Sequence, residues 1–505
     1  MKYILGIDIG TTAVKAAVFD QTGHLCGNHT REYTLSTPFP LAVELDAQTY
    51  REAFRDAVVN AVKMSGADKA EIVSLGISAQ GETLFCVGEN GEPLRPAIVW
   101  MDNRAQAESD EIESVFGNDK IHQTTGQVSM CATWPAAKIL WIKRHEPEVF
   151  RKTNKFLLIE DYFIYLLTGK YVSEDSLLCS TILWDINTRE YWQEMLDLLE
   201  IHRDQLPDIY CPGTAVAPLT AEGAAFLGLE SGMTVALGAL DQACGAIGTG
   251  NVKPGIFSES TGAALATVAM TDRPVFDPAR EMPCFASGIP GMYMIHSFST
   301  GGMALRWYRD TFCAPEIEVE RLGGPNAYNI IDQEVKGIAP GSDGLRVLPH
   351  LQGSGAPDSN SMAKGVFYGV TLQHTRAHFA RAIMEGVAMV LYRMFEATIA
   401  LGARPREIRS LSGGAKSPVW CSIKADATGV PVKTLKNAES AACLGAGILA
   451  GVAAGVWPSV AQAAEQFTEA DREYLPNEAN KAIYDKLIAD YKKLFADLGS
   501  AFSSI

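Results

Sequence analysis

One local pattern is written twice in this chain, and it limits the fold more than any other feature. Residues 3–20 read YILGIDIG, TT, AVKAAVFD: an apolar strand, a small-residue turn and a second apolar strand. From residue 255 the pattern starts again in GIFSESTGAALATVAM, with SESTGAA standing where GIDIGTT stood. A third strand is expected near HLCGNHTREYTL. Each hairpin is followed by a helical stretch and a buried-type strand. In the first half, AQTYREAFRDAVVNAVKMSG sets Tyr50, Phe54, Val58, Val59 and Val62 on one face and precedes EIVSLGISAQ. In the second, AHFARAIMEGVAMVLYRMFEATIALG aligns Phe379, Ile383, Val387, Val390, Met394 and Thr398 ahead of IRSLSGGAKSPVW. At 505 residues the chain exceeds one compact core. The pattern predicts two α/β halves meeting near residues 245–255 around a cleft.

Composition narrows the function. Net charge is −16 with no Lys/Arg run, which argues against a nucleic-acid surface. Any anionic ligand must be held locally, by backbone amides, a metal ion or a few placed side chains. The apolar runs near 235–250 and 440–455 are Ala/Gly-rich and too short to span a bilayer. Asp8 interrupts the N-terminal apolar run before a signal-peptide core forms, so a cytoplasmic protein with no membrane partner is expected. The ten Cys form no CxxC pair and no zinc-spaced cluster, as small core residues in a reducing compartment would.

Four stretches could carry chemistry. In DIGTT, Gly10 lets the turn tighten towards an anion, and Thr11 and Thr12 add hydroxyl donors. Asp8, at the strand end, is placed to hold a hydrated Mg²⁺. The alternative is an ordinary hairpin turn. STGA, with Thr261 and Gly262, occupies the equivalent turn of the second half. SGGAKSPVW has consecutive glycines that let a flat ring or ribose reach the backbone, while Ser417 and Pro418 also read as helix start signals. Asp241 is the one charged residue between Ser231 and Val252, and it reads either as a catalytic carboxylate or as a cap on the helix that starts at Gln242. Gly169-Lys170 lacks Walker spacing, and GAIGTG has its glycines in the wrong order for a dinucleotide fingerprint.

GVFYGVTLQHTRAHFARAIMEG, residues 365–386, resembles the C-terminal signature of the FGGY carbohydrate kinases. GIDIGTT, IVWMDNRA, LIEDYFIYLLTGKYVSEDS, GALDQACGAIGTG, ESTGA and LSGGAKSPVW stand with it in family order. The resemblance spans nearly the whole chain. It implies an α/β fold of two ribonuclease-H-like (actin-like ATPase) domains, each a mixed sheet flanked by helices, divided as 1–248 and 249–505. It also implies ATP with Mg²⁺ and phosphorylation of a hydroxyl on a small sugar or polyol. By analogy with family members a homodimer is expected. DIGTT (Gly10, Thr11, Thr12) resembles the first phosphate turn and SESTGA (Thr261, Gly262) the second. Gly413, Gly414 and Ala415, with Ser417 beside them, resemble the adenosine site, and Asp241 falls where the family has its base.

The sugar is expected at the strand ends of the first domain, against Gln80, Glu82, Trp100 and Asp102, with Gln242 beside the base. Arg104 would hold the loop by pairing with Asp102 or Glu82. Small residues Ala239, Ala243 and Gly245 would give clearance for the sugar and the opposite lobe. Glycerol kinases have Arg-Glu where this chain reads Gly81-Glu82, and xylulokinases typically have Met-His in that region. GALDQACGAIGTG, GGMALRWYRD and the chain length favour the xylulokinase branch and a pentulose such as D-xylulose. The alternatives are L-xylulose, ribulose, glycerol or erythritol, a non-kinase actin-like ATPase, or a protein that only senses sugar.

Overall fold

The computed structural model describes residues 1–436 and 438–503. The chain divides into two compact units. Unit 1 comprises Met1–Lys253, Met270–Met294 and Ser440–Thr468, and unit 2 comprises Pro254–Ala269, Ile295–Glu439 and Glu469–Ile505. A single boundary after residue 248 therefore does not follow the packing, because two later segments fold into unit 1.

Unit 1 is built on a six-stranded sheet of β1 (Tyr3–Ile9), β2 (Ala13–Asp20), β3 (Leu25–Glu32), β4 (Ile72–Ala79), β5 (Ala215–Pro218) and β6 (Thr234–Leu240), in the order β5-β6-β4-β1-β2-β3. β1, β4 and β6 run parallel, while β2, β3 and β5 pair antiparallel to their neighbours. One face carries helix Ala47–Ser65, started by Asp46, whose side chain accepts from Gln48 N. Tyr50, Phe54, Val58 and Val62 of that helix are buried as predicted, but Val59 is 39% exposed. One residue beyond Val58 rotates 100° off the apolar stripe.

The other face is covered by helix Ala441–Ala453, which lies so close that glycine is required at the contact. A Cβ on Gly6 would meet Cys443 O at 1.9 Å, and one on Gly76 would meet Ala446 O at 2.4 Å. This Ala/Gly-rich helix supplies unit 1 with a second apolar layer that its first 253 residues lack.

Unit 2 repeats the plan. Six of the seven strands of its sheet are β7 (Ile256–Thr261), β8 (Ala264–Thr271), β9 (Tyr293–Thr300), β10 (Glu407–Leu411), β11 (Val432–Leu435) and β12 (Ala470–Tyr474), in the order β9-β8-β7-β10-β11-β12. β7, β10 and β11 are parallel, and β8 and β12 are antiparallel to their neighbours. Counted outward from the hairpin, this is the connectivity of unit 1. Helix Arg376–Ala400 runs through its core and buries Ile383, Val387, Val390 and Met394 there. No helix among the described residues is long and apolar enough to cross a membrane. The ten cysteines are free thiols, seven of them buried.

Candidate active site

In unit 1 the three parallel strands end on one edge, where ligands of open α/β sheets bind. The register pairs Asp8 of β1 with Ser78 of β4, and Leu240 of β6 with Ala79. Asp8, Gln80 and Asp241 are therefore brought to the same sheet edge. Ser78 Oγ donates to Asp8 Oδ1 at 2.7 Å, which fixes that carboxylate. Asp241 is the first residue of helix Asp241–Gly248, whose N-cap is Leu240, so it is not the cap itself. Its pKa is pushed up to about 7, first by burial and then by the charge of Asp8, while the amide and side chain of Gln242 act the other way. Burial also pushes Asp8 up, opposed by Ser78 and Lys15.

Glu82 adds a third acid. Its backbone is left-handed (φ 54°), a conformation that strains a residue bearing a Cβ and is concentrated at functional sites. Burial raises its pKa; Lys138 and a Ser180 hydrogen bond lower it, and Asp241 raises it further. A Cβ on the neighbouring Gly81 would stand 2.8 Å from Ser180 Oγ, a tight contact.

The remaining predicted sugar residues divide. Gln80 is buried; its Nε2 donates to Tyr50 Oη at 3.1 Å, but its Oε1 has no partner. Trp100 donates through Nε1 to Thr11 Oγ1 at 2.9 Å, tying the loop that carries it to the DIGTT turn. Asp102 is a correction. It is fully buried and accepts from Val43 N at 2.6 Å and from Arg104 N, Nε and Nη2 at 2.8 to 3.0 Å. A carboxylate so saturated has no lone pair for a sugar, and it serves to hold the loop. Arg104 pairs with Asp102 and Glu44 rather than with Glu82.

The small residues around Asp241 are a second correction. Ala239 and Ala243 are buried against Gly288, and Gly248 lies against Ala441 O. They admit neighbouring elements of unit 1, and of the group only Gly245 opens onto free space. Gly10 is also less free than expected, because its N–H closes the hairpin on Ala13 O at 3.0 Å.

Unit 2 carries a pocket of about 540 Å³ that brings together Thr261, Gly262, Gly413, Gly414 and Ser417. Ala415 is not among its lining residues. Gly414 has no alternative, since a Cβ would lie 2.6 Å from Thr261 Cβ. The Thr261 hydroxyl is engaged: it donates to Glu259 Oε2 at 2.6 Å and accepts from Lys424 Nζ at 2.9 Å. Lys424 and Glu259 are both fully buried, at 2.6 Å from each other. Ser417 caps helix Pro418–Thr428 and donates to Asp332 Oδ1 at 2.8 Å, so the helix-start reading holds alongside its place in the pocket. Burial raises the Asp332 carboxyl to about 6.

Sequence reasoning missed Ser78, Lys138, Asp332, Glu259 and Lys424. Lys138 is fully buried and donates to the carbonyls of Glu82 (2.9 Å), Val99 (3.0 Å) and Trp100 (3.4 Å), so it ties together the two loops that carry Glu82 and Trp100. Burial lowers its pKa, with Glu82 opposing. The signal was available: a lone lysine in the apolar run PAAKIL is as unusual as a lone aspartate in GALDQAC.

Two units with one sheet connectivity, each ending a central hairpin in a small-residue turn, define the actin-like ATPase class. The crystal structure of ligand-bound xylulose kinase from Lactobacillus acidophilus matches with a TM-score of 0.91 at 28% identity over 100% of both chains. The N-terminal domain model of the FGGY family of carbohydrate kinases matches residues 3–248 and the C-terminal domain model matches residues 260–454, so the chain belongs to that family. Xylulose kinase of Bacillus subtilis (strain 168) is 30% identical over 508 residues, covering 100% of this chain and 99% of that protein. Gluconokinase of the same organism is 29% identical, covering 90% of this chain and 88% of that one. The chain is a carbohydrate kinase, and kinases of this family use ATP.

Proposed function

We propose that this kinase phosphorylates a neutral pentulose, D-xylulose first, with Asp241 as general base and Mg-ATP as donor. The observation that carries the reading is a half-buried carboxylate at the strand ends, pushed up to about 7 and paired with no cation among the described residues. Such a group accepts a hydroxyl proton at physiological pH. As Asp241 takes the proton, the sugar oxygen attacks the terminal phosphorus and the bond to the bridging oxygen breaks, leaving ADP. The orphaned Oε1 of Gln80 supports a sugar hydroxyl bound there, and the raised Glu82 carboxyl can donate to another. Trp100 offers an apolar face to the carbon chain, and Gln242 steadies the base.

The residues around Asp8 fit a magnesium ion. Ser78 fixes one Asp8 oxygen, and the repulsion by which Asp8 raises Asp241 would be relieved by a divalent cation, which keeps most of its waters. Bound there, Mg²⁺ would neutralise charge on the transferred phosphoryl group. Thr11 and Thr12 supply hydroxyl donors to the phosphates. In unit 2 the glycine-lined pocket beside Thr261 and Gly262 suits the nucleotide.

Gluconate, the second reading raised by the relatives, is disfavoured by charge. Asp8 and Asp241 converge at the unit 1 site, while Lys138 is spent on carbonyls and Arg104 on Asp102 and Glu44. No cation among them greets a sugar acid. A coupled ADP assay with D-xylulose, L-xylulose, ribulose, D-gluconate, glycerol and erythritol tests this. The expected result is turnover with a pentulose; turnover with gluconate alone would overturn the substrate assignment.

A further inference from the structure

The motif LIEDYFIYLLTGKYVSEDS has no part in the chemistry above, yet its acids are among the most deeply buried in the chain. Glu160 and Glu174 are fully buried. Glu160 directly, and Glu174 through Ser176, reach the last residues of β6, immediately before Asp241. There the strand departs from its ladder with β4, because the register slips between Ala236 and Ala239. Gly238 sits in this bulge with no room for a side chain, since a Cβ would lie 1.8 Å from Ile77 O. Its amide donates to Glu160 Oε1 at 2.7 Å. Two residues on, the Leu240 amide donates to Ser176 Oγ at 3.0 Å. Ser176 in turn donates to Glu174 Oε1 at 2.8 Å, and Glu174 also receives the amides of Ser176 (2.7 Å) and Leu177 (2.6 Å). The backbone that delivers the base is thus suspended from side chains of another segment at two points.

We propose that Glu160 and Ser176 are positioning residues for Asp241, fixing the end of β6 so that its carboxylate meets the reacting hydroxyl. Glu160 holds the bulge, and Ser176, locked by Glu174, holds the residue before the base. Glu160 keeps one oxygen for Gly238, while its other oxygen has no partner. Burial and the neighbouring Glu174 favour its protonated form. A neutral isostere should then serve as well. The proposal rests on Asp241 being the base.

The test uses the full-length enzyme and whichever sugar the wild type turns over. Displacement of a reacting group by about 1 Å costs on the order of 10²-fold in rate. Ser176→Ala and Glu160→Leu are expected to lower kcat at least tenfold, with KM for ATP and sugar held within about twofold. Glu160→Gln should restore kcat to within about threefold of wild type. Circular dichroism and ATP binding by calorimetry establish folding, and if Glu160→Leu does not fold, Ser176→Ala decides. Wild-type kcat in folded Ser176→Ala, Glu160→Gln as impaired as Glu160→Leu, or a rise in KM at constant kcat would each overturn the proposal. Asp241→Asn is assayed alongside: its turnover would remove the base itself, whereas an inactive Asp241→Asn with a fully active Ser176→Ala removes only the positioning role.

Discussion

Replacing Asp241 by Asn is expected to silence the enzyme and at the same time make unit 1 more stable. The carboxyl sits at about 7 in the folded chain against an ordinary 3.8. At about 1.4 kcal/mol per unit this difference sets a ceiling of roughly 4 kcal/mol on the stability lost by ionising it in place. Part of the side chain reaches water, which reduces the cost to about 2 kcal/mol. The sign follows from proton counting. Between about pH 4 and 7 the unfolded chain has already released this proton while the folded chain keeps it, so stability falls as pH rises through that window. Asn carries no charge and is exempt. Urea unfolding in magnesium-free buffer should therefore show Asp241→Asn ahead of wild type by about 2 kcal/mol at pH 8 and by about a third of that at pH 5. A coupled ADP assay on the same samples should show turnover reduced about 10²–10⁴-fold, the worth of a general base. Equal stability at pH 8, a larger gap at pH 5 than at pH 8, or surviving turnover would refute the reasoning.

Lys424→Met strands the fully buried Glu259 and loosens Thr261, and should cost about 3–5 kcal/mol in thermal unfolding and weaken ATP binding measured by calorimetry. Lys138→Met removes the donor shared by the carbonyls of Glu82, Val99 and Trp100, at about 1–3 kcal/mol for each one left unpaired. Steady-state kinetics should then show KM for the sugar up at least tenfold while ATP binding is preserved. Gly6→Ala should give insoluble protein on expression, because its Cβ would press 1.9 Å from a backbone carbonyl that has nowhere to move.

The hairpins and their turns were legible because strand period, small residues and repetition are local signals. Asp241 was legible as a charge in an apolar run. Lys138, Lys424 and Glu160 send the same signal from PAAKIL, CSIKADAT and LLIEDYFI, but each lysine owes its meaning to a partner far away in sequence. Lys424 stands 165 residues from Glu259, and no periodicity links them. Asp102 shows the reverse error: a polar residue at a strand end looks like a sugar ligand until Arg104, two residues on, turns back and occupies it. The destination of residues 441–453 was equally hidden. Ala/Gly richness announces a close approach, but not to which sheet.

That helix also bears on how the protein is made. Synthesis runs from the N-terminus, so the ribosome completes all six strands of the first sheet long before it reaches Ala441. Until the helix emerges, the face around Gly6 and Gly76 has no cover, and an uncovered apolar sheet is an invitation to aggregation. A nascent chain of this kind must be sheltered through most of its translation, and a gene cut after the first 253 codons would encode a sheet that lacks its lid.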